Sequence, residues 1–140
     1  MKNDEKITSI SKVLSSNDIG LTGGHQSGIH IPKQDDILSF FPKVDKTKKN
    51  PRYLLTFYDD SNEKWELSFI YYNNRFFGGT RNEYRLTRMT KFFTSHNLKV
   101  GDELFLTKSD NGEKRISYKR FNELSGTKLR LSTEWKVISI

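Results

Sequence analysis

The chain has 140 residues and a formal net charge of +7, from 24 Lys and Arg against 17 Asp and Glu; 34% of it is hydrophobic and 13% aromatic. That length suits one domain spanning residues 1–140, because two half-sized cores would each need staples, and the chain has no cysteine to supply them. A disulfide framework and Cys-based zinc sites are excluded, a reducing cytoplasmic compartment is expected, and no apolar run approaches the roughly 20 residues of a membrane helix.

The polar start MKNDEKITSISK does not read as a secretory signal. There is no alanine anywhere, while Phe and Tyr number 10 and 6. Losing the best helix former and gaining residues that suit pleated, half-buried surfaces predicts a mainly β chain.

In chain order, residues 7–14 and 28–31 read as strands. Residues 34–41 read as a short helix, with Asp35 and Asp36 in the first turn, Ile37, Leu38 and Phe41 on one face, and Pro42 as its stop. Residues 43–51, KVDKTKKNP, are the most linker-like segment and are expected to form a mobile surface loop. The aromatic-rich runs 52–58 and 65–72 flank a polar hairpin loop. Residues 80–88 form another strand candidate, and 90–96 a short helix capped by Thr90 that buries Phe92 or Phe93. A second hairpin pairs 102–108 with 114–120 around Asn111-Gly112, a turn signal because both residues tolerate positive φ. Residues 135–140 close the series as a strand. Short strands with two brief helices and no internal repeat predict a small barrel rather than a parallel α/β sheet.

The charge is unevenly placed. Residues 1–70 carry ten basic and ten acidic side chains; residues 71–140 carry fourteen and seven, and so supply the whole excess. The densest patch is Arg75, Arg81, Arg85, Arg88 and Lys91, opposed locally by Glu83. A solvated strand face would look similar. An arginine-led patch also suits phosphates and guanine edges, which guanidinium groups grip bidentately.

Two segments favour the second alternative. Between Gly20 and Lys33, four glycines fall within residues 20–28, and His25, Gln26, Ser27 and His30 stand among them. Glycine lets a backbone approach another molecule closely, and these side chains have the reach and polarity to meet base edges. A nucleotide-phosphate loop would need a Gly-Lys-Ser/Thr ending or a Gly-x-Gly-x-x-Gly spacing, and neither is present. A metal site on His25 and His30 would lack a third ligand nearby in sequence. In the second segment, Arg81, Asn82 and Glu83 follow Gly78-Gly79. Arg with guanine, Asn with adenine and Glu with the cytosine amino group are the natural pairings. If Leu86 points inward, Arg85 and Thr87 point outward.

These segments, LSSNDIGLTGGHQSGIHIPK at 14–33 and GTRNEYRLTR at 79–88, together with the stretch from Phe93 through Leu98-Lys99-Val100-Gly101-Asp102-Glu103-Leu104-Phe105, resemble the N-terminal effector-DNA-binding domain of EcoRII-type restriction endonucleases. That domain is a DNA-binding pseudobarrel related to plant transcription-factor domains. The resemblance implies a seven-stranded open barrel with two arms that grip double-stranded DNA in the major groove at a short site of the form CCWGG, W being A or T. It implies an N-arm of His25, Gln26, Ser27, His30 and Lys33 and a C-arm of Arg81, Asn82, Glu83 and Arg85. Arg75, Arg88 and Lys91 are expected phosphate contacts. His30 stands where the family pattern has tyrosine, and Tyr84 where it has a basic residue. The resemblance further implies a bacterial cytoplasmic parent chain with a C-terminal nuclease domain that uses Mg²⁺, while this domain needs no cofactor, contacts no membrane and is not itself an enzyme.

Two alternatives stand beside this one. Glu134-Trp135-Lys136 matches the acidic-x-Lys triplet of metal-dependent nucleases, with Asp110 or Glu123 as a preceding acid. Exposed Tyr and Phe could instead stack on the bases of a single strand.

Overall fold

The structure, a computed structural model, describes residues 7–19, 28–121 and 134–138. Its elements are β1 (Ile7–Val13), β2 (Ile29–Ile31), α1 (Asp35–Leu38), β3 (Arg52–Tyr58), β4 (Lys64–Tyr72), a 3₁₀ turn (Asn74–Phe77), β5 (Glu83–Thr87), α2 (Thr90–Ser95), β6 (Glu103–Ser109), β7 (Lys114–Lys119) and β8 (Lys136–Ile138). The strands form one curled sheet in the order β2-β5-β4-β3-β7-β6-β1-β8. All neighbours are antiparallel except β3 and β7, which meet in parallel at the single pair Tyr58↔Arg115. Arg115 reinforces that seam, donating to the Asp59 carbonyl and to Asn62 Oδ1, each at 3.0 Å.

Eight strands are described where the family resemblance implies seven. The two short edges, β2 and β8, each have three residues, and each is held by one neighbour, β5 or β1. Among the described residues no ladder joins the two edges. Trp135, just before β8, is buried and donates its indole N–H to the His30 carbonyl of β2 at 3.0 Å.

Local chemistry explains the turns. In the β3–β4 hairpin the Asp59 carboxylate accepts from the Ser61 and Glu63 amides and from the Trp65 indole, at 2.8 to 2.9 Å. Hydrogen bonds from Trp65, Glu63 and Ser61 outweigh burial, the largest opposing influence, and hold its carboxyl below the usual range. In the β6–β7 hairpin only Gly112 takes positive φ, at 91°. Ser109 bonds Glu113 across a three-residue loop, longer than a two-residue Asn-Gly turn.

The helices are shorter than their sequence windows. α1 is a single turn, because Phe40 and Phe41 leave it through three-residue-spaced hydrogen bonds to bury their rings before Pro42. α2 begins after Met89 rather than being capped by Thr90, with no side-chain cap bond, and it buries both Phe92 and Phe93.

The core is aromatic-rich. Phe41 stacks on Phe69 at 4.6 Å, Phe69 on Tyr84 at 5.6 Å, and Tyr84 on Tyr71 at 4.3 Å, with the rings within 13° of parallel. Such stacking adds to the gain from burial alone. Among the described residues no helix is long and apolar enough to cross a membrane.

Candidate nucleic-acid interface

The strand register assembles the site. β2 and β5 pair as Ile29↔Leu86, His30↔Arg85 and Ile31↔Tyr84. Side chains alternate along a strand, so Ile29, Ile31, Tyr84 and Leu86 are buried while His30, Glu83 and Arg85 share the opposite face. A residue from each sequence segment thus meets directly across one ladder. Tyr84 lies in the aromatic stack with 5% exposure, so its departure from the family pattern falls in the core and not on the face shared by His30, Glu83 and Arg85. Thr87 is buried too, although alternation predicts it outward; its hydroxyl donates to the Ser68 carbonyl at 3.2 Å.

Glu83 is the hub of the exposed face. Its Oε2 accepts from Arg81 Nε at 2.9 Å and Arg85 Nε at 3.1 Å, with Arg81 Nη2 at 2.8 Å. Partial burial opposes ionisation, but the hydrogen bonds and charges of both arginines outweigh it and hold the carboxyl below its ordinary value. Two guanidinium groups against one carboxylate leave the cluster positive.

Neighbours fix each member. Arg81 lies 3.9 Å above the Tyr72 ring, a cation–π contact. The Tyr71 hydroxyl donates to Asn82 Oδ1 at 2.6 Å, which holds the side-chain amide through its oxygen. Arg85 also reaches the Gly28 carbonyl at 3.4 Å.

His30 faces the open side of β2. Partial burial, supported by the charges of Arg85, Lys12 and Lys33 against that of Glu83, lowers its pKa. It is therefore neutral at pH 7, with one nitrogen to donate and one to accept. Beside it, a groove of about 630 Å³ is lined by Lys12, Asp18, His30, Gln34, Arg85 and Trp135, among others. Lys12 and Asp18 form a buried ion pair, and Asp18 also accepts from the Ser15 amide at 2.9 Å. This fixes the chain where it leaves β1.

Gly28 is required where it stands. Its φ is +102°, and a Cβ there would lie 2.1 Å from the Leu86 carbonyl oxygen. Gly78 also has positive φ, +95°, but an added Cβ would meet nothing within 4 Å.

Lys33 is exposed just past β2. Arg75, on the exposed 3₁₀ turn, is tied to the cluster by its amide, which donates to the Arg81 carbonyl at 2.9 Å; Phe76 and Phe77 are exposed beside it. Arg88 and Lys91 lie beyond the far end of β5, around a separate groove shared with Glu63, Lys64, Trp65, Glu66 and Thr90. His25, Gln26 and Ser27 lie outside the described residues. Sequence reasoning missed Tyr71, Tyr72 and the Lys12–Asp18 pair as supports; only the β4–β5 register, Tyr71↔Tyr84 and Tyr72↔Glu83, places the tyrosines beside the Arg81–Glu83 cluster.

The acidic-x-Lys alternative meets a different environment. Lys136 Nζ lies 3.6 Å from Glu103, and Ser11↔Lys136 pairing sets it away from Asp110, which follows β6. Glu123 lies outside the described residues. Among the described residues no group of three or more His, Cys, Asp or Glu could hold a metal ion.

A curled, open sheet, eight strands of it among the described residues, with two short helices and a polar, arginine-rich cluster beside one edge strand, defines the class: a pseudobarrel domain. Residues 3–104 match the family model described as "Restriction endonuclease EcoRII, N-terminal", and the chain belongs to that family. It is 42% identical over 98 residues to the type II restriction enzyme EcoRII of Escherichia coli, an alignment covering 68% of this chain and 24% of that enzyme. The chain thus matches about a quarter of the length of that relative. Its fold is similar to that in the Arabidopsis FUS3–DNA complex, with a TM-score of 0.62 and 18% identity, covering 80% of this chain and 96% of the other.

Proposed function

We propose that the chain is a sequence-specific double-stranded DNA-binding module, acting as the recognition or effector domain of a type II restriction endonuclease whose nuclease domain is a separate C-terminal unit. The observation that carries this is the ladder pair His30↔Arg85 beside the Arg81–Glu83–Arg85 cluster. Glu83 holds two guanidinium groups in fixed orientation, suiting them to the two acceptors of guanine in the major groove. Both arginines take Oε2, which leaves Oε1 to accept from a cytosine amino group. Asn82 presents its amide nitrogen, and neutral His30 can donate or accept. The site we assign is a short GC-rich sequence of the CCWGG type, with His25, Gln26, Ser27 and Lys33 completing the N-arm and Arg75, Arg88 and Lys91 on phosphates. The domain itself uses no cofactor and cuts no DNA; Mg²⁺ belongs to the nuclease domain of a cytoplasmic bacterial parent.

Selection of bound duplexes from a random pool tests this directly. Enrichment of one short GC-rich motif is expected; recovery of unenriched sequence would overturn the assignment.

Exposed Phe76 and Phe77 beside Arg75 favour a second reading, single-strand stacking. Competition among duplex, single strand and RNA separates the two: duplex is expected to win. Plasmid incubated with Mg²⁺ is expected to stay intact, and nicking abolished by Glu134→Ala would establish a nuclease instead.

A further inference from the structure

The lysine-rich segment 43–51, expected to be a mobile surface loop, is instead tied by Asn73 to the residues that lead into the candidate C-arm. Asn73 is fully buried. Its Oδ1 accepts from the Asn50 amide at 2.7 Å, and its Nδ2 donates to the Lys48 carbonyl at 2.8 Å and the Lys46 carbonyl at 3.5 Å. Asp45 folds the loop from within, accepting from the Thr47 amide and hydroxyl. Those bonds keep its carboxyl below the usual range, so it is ionised at neutral pH. Pro51 is tied to β4 through its carbonyl, which accepts from the Tyr71 amide at 3.0 Å. The next residue after Asn73 begins the 3₁₀ turn that carries Arg75 and, through it, Arg81. One buried amide therefore joins the loop to the arm.

The loop concentrates charge. Lys43, Lys46, Lys48 and Lys49, with Arg52 beside them, are exposed, and Asp45 is the one acid within residues 43–52. Half of the ten basic residues of the neutral first half of the chain lie in this decade. Fixing like charges on an ordered backbone costs repulsion and entropy. A polyanion laid along them offsets the repulsion, and duplex DNA carries one charge per roughly 1.7 Å of axis.

We propose that loop 43–50 is a third grip on DNA, besides the two arms, holding the phosphate backbone of the same duplex. This rests on the DNA-binding reading above. Phosphate contacts set position and affinity but carry no base preference, so the loop contributes equally on any sequence.

The test is salt-dependent binding of the 140-residue chain to a short CCWGG duplex and to a scrambled duplex of equal length. A Lys46→Gln/Lys48→Gln/Lys49→Gln variant is compared with a charge-matched control, Lys99→Gln/Lys114→Gln/Lys119→Gln, whose positions lie outside the β2-β5-β4-β3 half of the sheet. The loop variant is expected to flatten the plot of log affinity against log salt by about 0.9 for each phosphate no longer neutralised, equally on both duplexes, while the control keeps the wild-type slope. An unchanged slope in the loop variant, or the same change in both variants, overturns the proposal. If the triple variant melts early, the three single variants read the same slope one lysine at a time. Failure of the wild type to bind either duplex would remove the DNA-binding reading itself, and this inference with it.

Discussion

The indole N–H of Trp135 and the carbonyl of His30, 105 residues apart in sequence, are joined by a hydrogen bond of 3.0 Å. This bond ties the approach to β8 to the short β2 strand, and so to the candidate base-reading face. Replacing Trp135 with Phe removes the donor and part of a buried ring. We expect a loss of about 1–3 kcal/mol, read as a lower urea midpoint with an unchanged slope. A variant as stable as the wild type would mean that the bond contributes nothing to closure.

Gly28 and Gly78 separate close approach from conformational strain. Gly28→Ala drives a Cβ into the Leu86 carbonyl as well as straining φ, whereas Gly78→Ala meets open space. Gly78→Ala should cost about 1–2 kcal/mol, the left-handed penalty alone. Gly28→Ala should cost more and should also release β2 from β5. Amide exchange at Ile29 and Ile31 would show that release; equal thermal shifts for the two variants would contradict it.

The pH dependence of Glu83 follows from its arginine partners. A folded-state pKa below the ordinary 4.5 means that the unfolded chain takes up the proton first as pH falls. The stabilisation is complete above the unfolded value and drains away as pH drops through the folded one. The stability gap between wild type and Glu83→Gln should therefore stay constant from pH 7 to about 5 and shrink below that, as measured by urea unfolding. A gap that widens on acidification would mean the carboxyl is not ionised in the fold.

Arg81 and Arg88 should fail differently on DNA. Arg81→Ala is expected to cost about 1–3 kcal/mol on the specific duplex and to relax one base position. Arg88→Ala and Lys91→Ala should weaken all duplexes alike and flatten the salt slope. Equal losses for Arg81→Ala on specific and scrambled duplexes would remove it as a base reader.

Much of this fold is legible in composition and alternation. The missing alanine and the aromatic runs point to β structure, and the 52–58 strand stands where its pattern puts it. Alternation in 80–88 gives the faces of Leu86 and Arg85, but not Thr87, whose burial depends on its pairing with Ser68 in β4. The linker-like look of 43–51 comes from its polarity; Asn73, more than twenty residues away, decides its order. Cross-strand register is the common missing piece. Sequence names the arginines and the glutamate, while the tyrosines beneath them become visible only once β4 is laid beside β5.

The four-ring stack that runs from Phe41 to Tyr71 has a mechanical meaning. Its last ring carries the hydroxyl that holds Asn82, so the amide is braced against packed rings across the interior. On the DNA-binding reading proposed above, a wrong base pair meeting this braced amide is expected to leave an unmatched donor or acceptor at its full cost of desolvation. On that reading, stiffness of this kind would convert core packing into intolerance of error.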